Sequence, residues 1–545
     1  MKLTINGREV SCPGGVTYLS LLKELGLEKG ALGVSHRGAT LSLNAQAEGG
    51  AEVHVLTLQD EEGRRIYERT LQFLLLAAAR RALGPETRVR IEHSLGDGLY
   101  AYVPNQTLTS SQVRSIREAM QSLVAQDAPI ARFASTKAEA AEYFRSLGQN
   151  DKVRLLQYRP YEHFTFYELD GMREYFYGEM APSAGFVSVY DLILYYPGMV
   201  LMMPYLQDPS RPAKFRDLPK LVHTFAESAR WNRILGCENV ADLNEMMDNG
   251  SIREFIRVNE ALQERSVSQI ADQFVASGAR VVLIAGPSSS GKTTFSHRLR
   301  IALKVLGLHP VKISLDDYYI NRDQIPLEPD GTRDLERIDI LDLDLLNEQL
   351  LQLLRGETIQ APEFDFVSGK RKAETHALSV EEGQPIIIEG IHGLNDRLTS
   401  AVPRDMKFKI YVSALTTLNL DDHNRIRTTD ARLLRRIVRD YLFRGTSPEE
   451  TMRGWDSVRR GEEKYIFPFQ EQADVMFNTS LVYELPVMKK YVYPVLRAVT
   501  PDSPCYTRAR RLVKFLNYFH TGDVESEIPV NSILREFIGG CCFYQ

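Results

Sequence analysis

The chain has 545 residues, 43% of them hydrophobic and 25% charged, which is an ordinary globular balance. That length predicts about three or four domains with sizeable cores. A formal net charge of −5 excludes a generally basic coat for nucleic acid and leaves room only for local patches. The five cysteines, at 12, 237, 505, 541 and 542, make neither a zinc spacing nor a disulfide framework, as in a reducing cytoplasm. The opening MKLTINGREV lacks the apolar core of a signal peptide. The most apolar short run, Phe73 to Ala79, is too short for a bilayer. A cytoplasmic protein with no membrane partner is expected.

Residues 1–59 read as a small β-rich unit. KLTI and REVSC flank Asn6-Gly7, a hairpin turn signal. Thr17 to Leu25 spaces Leu19, Leu22 and Leu25 for a helix. GVSHRGATLSL gives a second hairpin and AEVHVLTL a last strand. The pattern resembles the TGS domain, the ubiquitin-like β-grasp module of threonyl-tRNA synthetases and some regulatory GTPases. The resemblance implies an RNA or partner contact, weighed equally against a structural appendage.

Residues 60–206 read as an α+β unit. Helices are predicted over Glu61 to Leu83, stopped by Gly84-Pro85, and over Ser110 to Ala125. The strand HFTFYEL then leads into a tyrosine-dense stretch read as core. After a TGS-like unit, this resembles the second N-terminal domain of threonyl-tRNA synthetases. The editing site there uses an H-x-x-x-H pair and a further Cys/His pair. The matching helix here reads RIYERTLQFLL, so editing hydrolysis is not expected. His54, His93 and His163 stand alone and read as structural. A scaffold or small-molecule-sensing domain is the expectation. Residues 207–276 read as a linker, QDPSRPAKFRDLP, followed by helices around Leu218 to Ala229 and Ile252 to Ala276. Ile252, Phe255, Ile256, Ala261 and Leu262 supply an apolar stripe on the second.

Residues 277–490 carry the chemistry. Val281 to Ile284 is a buried-strand run, followed by Gly286-Pro287-Ser288-Ser289-Ser290-Gly291-Lys292-Thr293, which fits G-x-x-x-x-G-K-[ST]. Phe295, Leu299, Leu303 and Leu306 then recur at helical spacing. Strand, glycine loop and helix together specify a phosphate site. Loop amides and the helix N-terminus, with Thr294 beside Thr293, attract anionic oxygens. Lys292 reaches the β- and γ-phosphates and the Thr293 hydroxyl ligates Mg²⁺. A capped ordinary helix is the bland alternative.

A second strand, Val311 to Leu315, ends in Asp316-Asp317-Tyr318-Tyr319. Ligands gather at such strand ends in parallel sheets. A carboxylate there can accept a substrate proton during in-line phosphoryl transfer. On an extended chain only one of two adjacent carboxylates faces the site. The acidic segment Asp334 to Asp342 precedes a helix with Leu345, Leu346 and Leu350, and Pro362 to Arg371 reads as a loop. Pro385 to Gly390 is a third strand, ending in Glu389, which suits Mg²⁺ organisation. KFKIYVS at 407–413 is a fourth. Arg432, Arg435, Arg436 and Arg439 then share one helix face, with Leu434, Ile437, Val438 and Tyr441 on another. Four like charges repel, and an anionic triphosphate relieves them, which suggests a lid over the transferring phosphoryl.

GPSSSGKTT, SLDDYY, DLERIDILDLD, PEFDFVSGKRK, IIIEGI and DARLLRRIVRDYLFRG occur in the order found in the uridine kinase/phosphoribulokinase family, across 281–485. The chain resembles the bacterial uridine kinase-like members with TGS and synthetase-like N-terminal domains. The resemblance implies a multidomain α/β protein with a C-terminal phosphate-loop fold. It implies an ATP- and Mg²⁺-dependent kinase, with GTP an open alternative donor. Asp316 matches the base that accepts the proton of the ribose 5′-hydroxyl. Tyr318 and Arg432 fall among the substrate contacts, and Asp339 lies where the family holds the ribose. Phe364 takes the place of a tyrosine near the base. Arg435, Arg436, Arg439 and Arg444 match the lid arginines. Two departures are Gly369, where uridine-specific enzymes have a base-contacting histidine, and Thr446, where the usual R-G-R has its second arginine. Losing a polar base contact removes roughly 1–3 kcal/mol of discrimination. The resemblance implies a nucleoside acceptor, uridine- or cytidine-like, and these departures leave uridine itself open. Two alternatives stay open: a sugar-phosphate kinase of the phosphoribulokinase type, and a nucleotide-gated RNA- or ribosome-binding regulator. The tail 491–545 is expected to dock on the kinase half, and the oligomeric state is open.

Overall fold

The computed structural model describes residues 1–327, 333–334, 336–365 and 368–543, and at Phe164 the backbone only. Leu335, Phe366 and Val367, from the acidic and loop segments read above, lie outside these. The first unit is a five-stranded sheet in the order Arg8–Ser11, Lys2–Ile5, Glu52–Leu56, Gly33–His36, Ala39–Leu41. Helix Tyr18–Glu24 packs on it, capped by the Thr17 hydroxyl 3.2 Å from Ser20 N. Asn6 (φ 48°) and Gly7 (φ 79°) make the expected tight hairpin turn.

Helices Glu61–Leu83 and Ser110–Ala125 have the ends read from the sequence. They pack together against the four-stranded antiparallel sheet Asp191–Tyr195, Gly198–Met202, Gly98–Tyr102, Arg90–Leu95. His93 is buried, stacks on Phe225 at 4.0 Å, and is pushed down to about 4 by burial, so it is a neutral core residue. The stretch read as a linker turns back on itself: Asp208–Pro212 pairs with Pro204–Tyr205. Helix Ile252–Ser277 buries Ile252, Phe255 and Ile256, but Ala261 is exposed and Glu260 is buried instead. Glu260 is tolerated there because the Tyr483 and Ser532 hydroxyls donate to it at 2.5 and 2.6 Å.

The kinase half is built on an all-parallel sheet ordered Val311–Ser314, Ile386–Glu389, Val281–Ala285, Lys407–Ser413, Val475–Asn478. Val281 to Ala285 are fully buried, as a central strand covered on both faces requires. Helix Lys292–Val305 follows the loop and buries Phe295, Leu299 and Leu303, while Leu306 caps its end, 44% exposed. Ile533 and Phe537 of the tail complete this same core. Among the described residues no helix is long and apolar enough to cross a membrane.

The two halves meet through charge as well as through apolar packing, in which Leu415 joins Leu95, Tyr100 and Val200, and Leu155 joins the cluster of Leu434, Ile437 and Leu485. Arg65 of helix Glu61–Leu83 donates to Asp430 at 2.9 Å, and Arg511 of the tail reaches the same carboxylate at 2.8 Å. Glu68 faces Arg425 and Arg427 at 3.0 and 2.7 Å. Lys152, Glu174 and His423 form a buried triad, with Lys152 2.5 Å from Glu174 and His423 2.6 Å from it. Burial pushes the Glu68 carboxyl up, but Arg427 and Arg425 outweigh it and hold it at about 2. Asp430, raised by burial and lowered further by Arg511 and Arg65, also sits at about 2. Both values lie below the ordinary carboxylate range, so these groups stabilise the interface fully above about pH 4.5 and lose that effect as pH falls toward 2. The halves should therefore separate in acid within that window, read as a rise in radius by small-angle scattering. In Glu68→Gln the separation should begin at a higher pH; an unmoved midpoint would show that the pair contributes nothing.

Candidate phosphoryl-transfer site

The phosphate loop leaves the central strand at Gly286. A Cβ there would lie 1.9 Å from the Val412 carbonyl oxygen, so only glycine lets the loop pass the neighbouring strand. The first-turn amides of helix Lys292–Val305 have no carbonyl partner within the helix. Lys292 Nζ donates to Pro287 O at 3.1 Å. Burial lowers its proton affinity, and the nearby Glu389 and Glu536 carboxylates oppose that. The Thr293 hydroxyl donates to Glu389 Oε1 at 2.7 Å, and Lys312 Nζ lies 3.1 Å from Glu389 Oε2. Two oxygen donors side by side suit Mg²⁺, which keeps most of its waters. Among the described residues no cluster of three or more His, Cys, Asp or Glu side chains offers a softer metal a cage.

Asp316 and Asp317 are not extended. Ser314 begins a 3₁₀ turn, Leu315–Tyr318, its hydroxyl accepting from Asp316 N at 3.3 Å. The turn still parts the two carboxylates: Asp317 accepts from Phe364 N at 3.4 Å, while Asp316 is set near Glu389 and Lys292. Burial raises the Asp316 pKa above its ordinary value and Glu389 raises it further; the Tyr319 hydroxyl, donating to it, and Lys292 oppose this. The same turn rotates Tyr318 into the core, where its hydroxyl donates to Gln349 at 2.7 Å. Tyr318 is thus a core residue, and Tyr319, which the sequence reading passed over, stands beside the carboxylate.

On the acceptor side Phe364 is buried, with its ring edge-on to Tyr319 at 5.6 Å. Asp339 pairs with Arg397 at 2.6 Å and lines a cavity of about 630 Å³ with Asn321, Gln324, Asp342 and Arg371. Gly369 has φ 69°, and a Cβ there would lie 2.5 Å from Arg322 Cδ. Its left-handed backbone favours glycine over a side chain such as histidine.

The arginine helix, Thr428–Phe443, buries Leu433, Leu434, Ile437 and Val438, whereas Tyr441 is 48% exposed. Its arginines do not wait for a ligand to relieve their repulsion, because the chain supplies carboxylates. Arg432 donates to Ser288 O at 2.9 Å and pairs with Glu462. Arg435 donates to Thr479 O at 2.8 Å, reaches Ser289 O at 3.4 Å and pairs with Glu484. These two are 1% and 0% exposed and brace the loop carbonyls. Arg436 and Arg439 instead face loop hydroxyls, Ser288 Oγ at 2.8 Å and Ser289 Oγ at 3.5 Å. Arg444 is 53% exposed and touches Asp440 at 3.2 Å. The loop is further tied by Thr479, whose hydroxyl donates to Ser290 O at 2.5 Å. Glu462, Glu484 and Thr479 carry no motif in sequence.

A parallel sheet, a glycine loop between strand and helix, an invading lysine and carboxylates at two strand ends define a phosphate-loop kinase. Residues 281–484 match the Phosphoribulokinase / Uridine kinase family. A uridine kinase of Bacillus pumilus is 32% identical over 197 residues, covering 36% of this chain and 84% of that protein. One of Lactobacillus helveticus is 32% identical over 198 residues, with shares of 36% and 84%. The chain belongs to the phosphoribulokinase/uridine kinase family. A threonine–tRNA ligase of Carboxydothermus hydrogenoformans is 28% identical over 185 residues, 33% of this chain but only 29% of the ligase. Its likeness lies in the N-terminal region and agrees with the multidomain architecture. Among solved structures, a D-glycerate 3-kinase from Cryptococcus neoformans aligns over 38% of this chain and 90% of its own at 16% identity and TM-score 0.27.

Proposed function

We propose that the protein transfers the γ-phosphoryl group of ATP to the 5′-hydroxyl of a nucleoside. The observation that carries this is the setting of Asp316, a carboxylate at the end of its strand whose proton affinity is raised by desolvation and by the nearby Glu389 and opposed by Lys292 of the phosphate loop. In the proposed step the acceptor oxygen bonds to the γ-phosphorus and the bond to the β–γ bridging oxygen breaks, releasing ADP. The hydroxyl proton passes to Asp316. A raised pKa makes Asp316 a better base near neutrality than an ordinary aspartate. Lys292 and the loop amides hold the transferring charge, and Arg436 and Arg439 add to it. Thr293 and Glu389 would hold Mg²⁺, which when bound neutralises phosphate oxygens. GTP remains the alternative donor. The kinship to uridine kinases favours a pyrimidine nucleoside, but Gly369 leaves the base less discriminated. The reading extends to a cytoplasmic location and to an RNA contact through the TGS-like unit.

ADP release with Mg²⁺ should be measured against uridine, cytidine, adenosine and ribulose 5-phosphate. Stimulation by a nucleoside is the expected result. Stimulation by the sugar phosphate alone would replace the acceptor, and ATP binding without turnover on any acceptor would overturn the kinase reading.

A further inference from the structure

The end of the chain closes over the phosphate loop. Ile533 is fully buried against Gly291: a Cβ on that glycine would lie 2.6 Å from Ile533 Cγ2. Phe543 stacks on His297 of the loop helix, 5.1 Å away and within 10° of parallel. Between these contacts, Glu536 enters the mouth of the loop. Its Oε2 accepts from the Thr294 hydroxyl at 2.8 Å and, at longer range, from Thr294 N at 3.4 Å. Its Oε1 accepts from Arg439 at 3.0 Å, and the side chain is only 8% exposed. A second carboxylate, Glu462, accepts from Ser288 N at 3.0 Å.

A first-turn amide and hydroxyl of the loop helix, joined by Arg439 of helix Thr428–Phe443, are the donors a phosphate group would take. A buried carboxylate holding them cannot share them with a phosphate, because two anions repel and the donors are limited. The base of the tail is separately anchored: Ser532 donates to Glu260 at 2.6 Å, and Arg535 donates to Glu525 O and Ile528 O at 2.7 and 2.9 Å. The Glu536 side chain can therefore be displaced while the segment before it stays anchored and Phe537 stays in the core.

Resting on the reading of this loop as a nucleotide site, we propose that the C-terminal segment is a built-in competitor of the nucleotide. Glu536 stands where a nucleotide phosphate binds at Thr294 and is displaced when nucleotide enters. The competent state is then only a fraction of the unliganded protein, and apparent affinity is reduced by that fraction.

The test uses the full chain and ATP with Mg²⁺. Calorimetric binding is compared for the wild type, Glu536→Gln, Lys292→Ala and the double variant, with amide exchange of residues 536–543 followed in the wild type. Glu536→Gln should tighten the apparent Kd by about three- to tenfold. Nucleotide should speed exchange at 536–543 in the wild type, a readout that needs no variant to fold. Lys292→Ala should abolish binding in both backgrounds. Equal affinities and unchanged exchange, with binding still lost in Lys292→Ala, would overturn the competitor and leave the nucleotide site standing. Weaker binding by Glu536→Gln would overturn it too, making Glu536 a part of the binding site. Absence of binding in every folded chain would remove the nucleotide reading itself, and the competitor with it.

Discussion

Asp316→Asn should lower acceptor-dependent turnover by about 10²- to 10⁴-fold, the usual contribution of a positioned general base. Nucleotide affinity should change by less than about twofold, because an interaction made only in the transition state leaves ground-state binding alone. Asp316 is held by a 3₁₀ turn in which its own amide donates to the Ser314 hydroxyl, and Asn fits the same turn. The substitution therefore removes a proton acceptor without moving the backbone. The pH profile supplies a second reading of the same group. A base works deprotonated, so kcat/KM should fall as pH drops through its pKa. Burial and Glu389 raise that pKa above the ordinary aspartate value, so the acid limb should lie above the range of an exposed aspartate. The Tyr319 hydroxyl bond stabilises the charged form. Tyr319→Phe should therefore shift the acid limb to still higher pH. An Asp316→Asn enzyme that keeps wild-type turnover would end the assignment of Asp316 as the base; an unmoved limb in Tyr319→Phe would say that the hydrogen bond does not tune it.

The loop, its strand and its helix were legible in sequence because local rules and tertiary context agree there. Glycine is demanded at Gly286 by the approach of Val412, and the apolar periods of Val281–Ala285 and Phe295–Leu303 match what is buried. The ends of helices Glu61–Leu83 and Ser110–Ala125 were legible for the same reason: Gly84 ends one, and Thr109 caps the other in a capping box with Gln112. Three things were hidden. The turn at Leu315–Tyr318 is a choice between extended and 3₁₀ backbone that four residues do not encode, and it decides which tyrosine meets Asp316. The strand at Asp208–Pro212 is two-stranded and proline-bearing, so it looks like a linker until its partner is known. The counter-charges of the arginine helix, at Glu462, Glu484 and Glu536, are 30, 49 and 97 residues from Arg432, Arg435 and Arg439, and no periodicity links them.

That last feature divides four arginines that look equivalent in sequence. Arg435→Ala should destabilise the kinase half by about 3–5 kcal/mol, as expected when one partner of a buried pair is removed. Arg435 is fully buried, and its loss strands Glu484, which is 2% exposed. It also frees the Thr479 carbonyl and a loop carbonyl at Ser289. Glu484 keeps one donor, Leu481 N at 3.1 Å, which is too little for a buried carboxylate. The urea midpoint of the kinase-half transition measures the cost. Glu484→Gln in the Arg435→Ala background should recover part of it, since a neutral amide is cheaper to bury than an unpaired charge. Arg436 is the opposite case. It is 26% exposed, its partner Asp440 lies on its own helix, and it faces the Ser288 hydroxyl rather than a carbonyl. Arg436→Ala should leave the midpoint nearly unchanged and lower turnover by about 10²- to 10³-fold, the scale of losing one charge-stabilising donor. A strut and a transition-state cation thus give opposite signatures. If Arg435→Ala cost turnover at unchanged stability, Arg435 would belong with Arg436 at the transferring phosphoryl group. If Arg436→Ala lowered the midpoint and spared turnover, it would be a second brace.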